Sequence, residues 1–409
     1  MKKMFKKEYL KKITWWASSV IIIFLFFAFL LPVFTLQGCA GDVVSRRQGQ
    51  AVGNISDDKD SQDGDGRTSP GEIPQSDKGN SQEGGQLKGE NNYPDNLNDA
   101  GEEQYEFLSE EELLKFKPNE LGEVMVLMYH QIGNPESEWV RTPENFKKDL
   151  LNLYRNGYRL VSLLDYVRGN INVEAGKSPV ILTFDDSTLN HLNFIETDDG
   201  YEIDPDCAVA ILEDFCNSHP DFGRGATFYI YYPIPFRQPQ YIKDKLEFLV
   251  SRGYEIGNHT YSHIDLSLHS DEDIVKEIAL NAMEVGKTIE GYEVRSLALP
   301  YGSYPVNIDI LAKGEYMGYS YTNEAVLLIG STPSPSPFST DFNPLAIPRI
   351  RASEIKVEGQ GLYDWLDYFD ACPGKRYISD GNSETITAPR EPTDKINSNA
   401  IANRKVYFY

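Results

Sequence analysis

From Val124 onward, short apolar runs alternate with amphipathic stretches, and this alternation constrains the fold more than any other feature of the chain. Strands that read as unbroken apolar runs are buried on both faces, and helices between them make the strands parallel. VMVLMY (124–129) reads as such a strand, and PENFKKDLLNLYRN (143–156) reads as the helix after it. That helix has Thr142 as N-cap, Pro143 at its first position, an apolar face of Phe146, Leu150 and Leu153, and Gly157 as its stop. YRLVS, PVILTF, ATFYIYY, YEIG and VRSLAL read as further strands, and LLDYVRGN, CAVAILEDFCNS, YIKDKLEFLVSRG and 271–289 as the helices between them. Weaker units at 306–316, 317–323 and 345–351 bring the strands to about seven. The expected fold is α/β, a distorted (β/α) barrel with fewer than eight regular units.

Residues 120–370 carry this pattern, and the chain before them has a different character. A cationic opening, MKKMFKKEYLKK, precedes an apolar run from Ile13 to Phe34. The run has the roughly 20 residues a membrane helix needs, and the lysines hold its start on the cytoplasmic side. Leu36-Gln37-Gly38-Cys39 resembles a lipobox, the site at which a lipoprotein is cleaved and lipidated on cysteine. A lipidated Cys39 and an uncleaved transmembrane helix both anchor residues 1–39 in a cell membrane and leave the rest extracellular. Residues 40–119 are rich in Gly, Ser, Asn, Asp, Glu and Gln, with little apolar surface to offset ordering entropy, so an acidic, disordered linker is expected. LSEEELLKF, with Ser109 as N-cap, reads as a short helix at its end. Residues 371–409 form a C-terminal extension to which the sequence assigns no role.

The net charge of -23, with Asp+Glu 62 against Lys+Arg 39, argues against nucleic acid as a partner, since phosphate binding needs concentrated Lys and Arg. A monomer acting on a neutral or cationic substrate is expected. Apart from Cys39 the cysteines are Cys207, Cys216 and Cys372, with no C-x-x-C spacing; they read as structural, with a bridge to Cys372 left open.

Polar residues at the carboxyl ends of barrel strands face the active site. Four strand ends here carry chemically capable groups. Thr183-Phe184-Asp185-Asp186 ends PVILTF, and adjacent carboxylates are costly to bury without a compensating cation. One of them then ligates a metal while the other works as a base. Asn258-His259-Thr260-Tyr261-Ser262-His263 follows YEIG, and a four-residue spacing puts two imidazoles on one face of a turn, where they can chelate a divalent ion. Two histidines and a carboxylate suit zinc first, and also cobalt, manganese or iron. Leu299-Pro300-Tyr301-Gly302-Ser303 is a tight turn that aims the Tyr301 amide at a developing oxyanion. His130, after VMVLMY, faces the same mouth. Each element alone has a plainer reading, as an Asx turn, a surface histidine pair, an ordinary turn and a structural histidine; their convergence favours the metal site.

Taken in order, YHQI, TFDD, GNHTYSH and PYGS, with ATFYIYY between the second and third, resemble the polysaccharide deacetylase family, carbohydrate esterase family 4, the NodB-homology domain. The likeness runs from Val124 to Arg351. The early YHQI resembles the branch that includes poly-N-acetylglucosamine deacetylases, in which the acid histidine precedes TFDD. The resemblance implies Asp185 as general base, Asp186, His259 and His263 as metal ligands, Tyr301 as oxyanion donor through its amide, and His130 as general acid. It implies hydrolysis of N-acetyl groups on an N-acetylglucosamine polysaccharide, with acetate released. An O-acetyl esterase and a weakly catalytic carbohydrate-binding protein are the alternatives.

Ser187 and Ile264 stand where the family often has Gly and Pro, and Ala298 stands where many members carry an Arg that orients the base. IPRIR (347–351) offers no histidine near the C-terminal end, which leaves His130 as the acid. Tyr229, Tyr231, Tyr232, Phe236 and Tyr261 are candidates for stacking on sugar rings. Residues 190–206 are too polar to read as helix or strand, and are expected as an insertion over the mouth.

Overall fold

The computed structural model describes residues 107–391 and 395–409. The anchor and all of the linker before residue 107 lie outside the described residues.

Eight strands make one parallel sheet: β1 Met125–Tyr129, β2 Tyr158–Leu160, β3 Ser178–Phe184, β4 Thr227–Ile230, β5 Glu255–Asn258, β6 Ser296–Ala298, β7 Ala325–Leu327 and β8 Ile350–Arg351. The order is β7-β6-β5-β4-β3-β1-β8, with β2 pairing the first half of β3. Every residue of β1 and β3 is buried, as their unbroken apolar sequence requires. A parallel bridge between Leu327 and Ile347, just ahead of β8, draws the two ends of the sheet together. The fold is therefore the expected distorted (β/α) barrel. Since all pairings are parallel, Tyr129, Phe184, Ile230, Asn258 and Ala298 end their strands on one rim.

The strands distribute their side chains between two cores. Met125, Leu127 and Tyr129 join Phe146, Leu150 and Leu153 of the helix Pro143–Arg155, whose N-cap Thr142 accepts from Asn145 N. Leu150→Ala would cost about 2–5 kcal/mol here. Val124, Val126 and Ile181 point the other way, into a second cluster with Tyr229, Ala298 and Leu327.

The short helix Glu110–Phe116 forms with Ser109 and Glu112 in a reciprocal capping box. The described residues of the C-terminal extension pack onto the barrel: Tyr377 and Ile386 join the second cluster, and Thr385–Ala388 pairs in parallel with Lys405–Phe408. Buried Glu120 accepts from Thr387 N (2.8 Å) and Tyr377 Oη (3.1 Å) there. Burial, with Asp380 nearby, pushes its carboxyl well above the usual range.

Two expectations need correction. Residues 194–203 are not irregular but form an antiparallel hairpin, Phe194–Thr197 with Gly200–Ile203. The Asp198-Asp199 turn, followed by Gly200 at φ 138° and flanked by Phe194 and Tyr201, was the signal for it. The weak units at 306–323 are a single helical turn, Asp309–Ala312, and a second hairpin, Lys313–Tyr316 with Tyr319–Thr322, whereas the sheet's own strand is Ala325–Leu327.

Candidate metal and catalytic site

Beyond the end of β3 the backbone turns sharply, with Asp186 at φ 75° and Ser187 at φ 42°. Left-handed backbone favours glycine, which accounts for Gly being common at the second position; here a serine holds it. Ser187 is buried, its carbonyl accepts from Phe236 N at 2.8 Å, and its hydroxyl lies 3.5 Å from Tyr231 N. The turn sends the two carboxylates to different places.

Asp185 points inward and is almost fully buried. Arg349 meets it with both terminal nitrogens, Nη1 to Oδ1 and Nη2 to Oδ2, each at 2.7 Å. The same guanidinium donates to Thr183 Oγ1 (3.1 Å) and, through Nε, to Leu328 O (2.8 Å). Arg349 is itself fully buried. Burial pushes the Asp185 carboxyl up, but the charges of Arg349 and His259 outweigh it and hold the group below the usual carboxylate range. The arginine absent at position 298 is thus matched by one from the far end of the domain, Arg349 of IPRIR. A bidentate fork fixes both oxygens in one plane, as a point charge would not.

Asp186 points outward toward the loop after β5. Its Oδ1 lies 3.4 Å from His259 Nε2 and 3.2 Å from His263 Nε2. Ligand atoms of these three residues all lie within 4.8 Å of one another. Burial raises the Asp186 carboxyl, yet the hydrogen bonds from the two imidazoles outweigh it and hold it well below the usual range. His259 Nδ1 lies 2.8 Å from Ala298 O, so the carbonyl fixes the ring and leaves Nε2 for the cluster. A carboxylate held ionised and imidazoles turned to present Nε2 fit one divalent cation. Thr260 and His263 sit at φ 58° and 55°, and Ile264 N donates to Thr260 Oγ1 at 3.2 Å. That N–H is what the usual proline would lack.

Tyr301 is 64% exposed, at φ 58°, with its ring centroid 4.7 Å from that of His263. Its turn is closed by Gly302 N to Leu299 O and Ser303 N to Pro300 O. Five residues of this rim therefore hold backbone conformations that cost of order 1–3 kcal/mol each, a clustering typical of functional sites.

His130 stands across the mouth, its ring centroid 4.6 Å from that of Trp139. Burial lowers its pKa, opposed by the charges of Asp185 and Asp186. Its carbonyl receives a hydrogen bond from His191 Nε2. The sequence placed His191 in a polar loop, but it is fully buried beneath His130, with Nδ1 unpartnered. Of the five aromatics proposed for sugar stacking, Tyr229, Tyr232 and Phe236 are buried. Cys207 and Cys216 are buried thiols, and burial pushes Cys216 up to about 11.

Residues 172–322 match the polysaccharide deacetylase family. The match spans Asp185, Asp186, His259, His263 and Tyr301 but neither His130 nor Arg349. Among solved structures, the chain is similar to the Streptococcus pyogenes deacetylase PplD in complex with acetate, at 20% identity over 56% of this chain and 92% of that one, with a TM-score of 0.42. It is similar to IcaB from Ammonifex degensii at 18% identity over 57% and 93%, TM-score 0.40. A de-N-acetylase from Aggregatibacter actinomycetemcomitans matches at 14% identity over 60% and 99%, TM-score 0.40.

Proposed function

We propose that this chain is a metal-dependent hydrolase that removes N-acetyl groups from an N-acetylglucosamine-containing polysaccharide, working from an anchor on the outer face of a cell membrane. The observation that carries this reading is the convergence of Asp186, His259 and His263 within 4.8 Å, with the Arg349-held carboxylate of Asp185 next in the chain.

Asp186, His259 and His263 would hold a divalent cation, zinc in our reading, which when bound polarises an acetyl carbonyl and lowers the pKa of water. Asp185, ionised and held in plane by Arg349, accepts the proton of the attacking water. The carbonyl oxygen gains negative charge as the tetrahedral centre forms, and the Tyr301 N–H stands at the rim to meet it. His130, on the opposite side, delivers a proton to the amine nitrogen as the carbon–nitrogen bond breaks. Acetate and a free amino sugar leave.

The test is acetate and free-amine release from N-acetylglucosamine oligomers by the full chain, with bound metal measured in parallel. Acetate with an equivalent of free amine is the expected result. Acetate released only from O-acetylated sugars would make the protein an esterase on this fold. Glycan binding with no acetate from any substrate, with zinc, cobalt or manganese added, would make it a binding protein.

A further inference from the structure

With three of the candidate aromatics spent on packing, the exposed ring beside the acid side of the mouth is Trp139, which is 41% exposed. It stands at the end of the 133–139 loop, where its carbonyl accepts from Gln131 N at 3.0 Å. The indole is braced from two directions. His130 lies 4.6 Å away, tilted by 56°, and the Arg351 guanidinium sits over the ring at 4.6 Å. Glu138 locks that arginine, Oε1 to Nη1 at 3.0 Å, and takes Lys356 on its other oxygen at 3.0 Å. Met128, His130, Glu138, Trp139, Arg351 and Ser353 line one pocket.

This combination matches the chemistry of a pyranose. A sugar ring has apolar C–H faces that pack on an aromatic surface and an edge of hydroxyls that both donate and accept. Trp139 supplies the first contact. Glu138 supplies acceptors at its carboxylate edge, and Arg351, which donates to Glu138 and to the Ile355 and Lys356 carbonyls, holds that carboxylate and the indole in place. Because Glu138 is matched by Arg351 and Lys356, the patch favours neither sign of charge.

Building on the deacetylase reading, we infer that Trp139, Glu138 and Arg351 form a subsite for the sugar next to the one being deacetylated, so that the enzyme takes oligomeric rather than monomeric substrates. The neighbouring ring rests on the indole, and this sets the reacting amine against His130.

The experiment compares kcat/KM for N-acetylglucosamine monomer, dimer and tetramer in the full-length wild type, Trp139→Ala and Trp139→Phe, each loaded with zinc. The expected wild-type result is a gain of about tenfold or more from monomer to tetramer, abolished in Trp139→Ala and mostly kept in Trp139→Phe. Trp139 also touches His130, and simple misplacement of the acid would lower all three substrates by the same factor. A loss independent of chain length, or no loss, overturns the subsite. Should the wild type release no acetate from any oligomer, the deacetylase reading fails instead, and the tetramer becomes an inert probe. A tenfold weaker Kd in Trp139→Ala by calorimetry then upholds the subsite, and an unchanged Kd removes it.

Discussion

The two sides of the mouth are built by different means. On the side proposed to hold the base and the metal, position is fixed by backbone and by buried charge: Asp186, Thr260, His263 and Tyr301 all lie in the left-handed region, and Asp185 and Arg349 are sealed together with 3% and 0% of their side chains exposed. On the side proposed to hold the acid, none of His130, Trp139 and Arg351 has a positive φ, and the stack is held by ring contacts and a partly exposed Glu138–Arg351 pair. The first arrangement stores strain and desolvation that the surrounding fold must offset. The second resembles ordinary side-chain packing with one polar edge. Damage on the base side should therefore reach stability as well as chemistry, whereas damage on the acid side should stay with chemistry.

Asp185→Asn tests this most severely. Acetate release should fall by about 10²–10⁴-fold with metal retained, because a positioned base is lost while all three ligands remain. The same change strands a fully buried guanidinium, which costs roughly 3–5 kcal/mol and should lower Tm by several degrees. Asp185→Leu combined with Arg349→Met removes both charges and should recover most of that Tm while leaving the enzyme dead. A Tm unchanged in Asp185→Asn would break the contrast. His263→Ala comes next: bound metal should drop below one tenth of an equivalent, measured by atomic absorption, with turnover lost in proportion. His130→Ala is expected to slow turnover by about 10²-fold with metal content and Tm close to wild type. If it loses metal or melts as early as Asp185→Asn, the two sides are not built differently after all.

How far these features could be read in the sequence follows the same division. Strands β1 and β3 were legible because burial on both faces leaves an uninterrupted apolar run, and the helix Pro143–Arg155 because its cap, period and stop agree. The carboxylates and histidines were legible as types at strand ends, and the structure brings Asp186, His259 and His263 together as spaced. Arg349 was not, since a side chain that reaches Asp185 from 164 residues away leaves no local pattern, and arginine in an apolar run reads as a strand edge. Nor was Trp139: exposure depends on what packs against a residue, and nothing in NPESEWVRT distinguishes a rim tryptophan from a core one. Tyr229 in β4 misled for the same reason, because a parallel strand buried on both faces also buries its tyrosine.

The smallest expected effect concerns His191, the buried histidine under the acid side. Its Nε2 is committed to the His130 carbonyl and its Nδ1 has no partner, so a proton added at Nδ1 would be a buried charge with nothing to solvate it. Burial accordingly holds its pKa down to about 4, against about 6.5 in an unfolded chain. Between those values the unfolded chain binds a proton that the folded chain refuses, so stability rises with pH across the window. The contribution is complete above pH 6.5 and is lost as pH falls toward 4, by roughly 3 kcal/mol in total. Burial lowers His130 in the same direction, so a part of the acid sensitivity remains when His191 is removed. His191→Phe keeps a ring in the cavity and abolishes the titration. Its Tm should therefore fall less than that of wild type between pH 7 and pH 4.5, even if it begins lower for want of the bond to His130. Parallel Tm curves for the two proteins would mean that His191 reaches water on the acid side, and that this half of the mouth is less well sealed than its packing indicates.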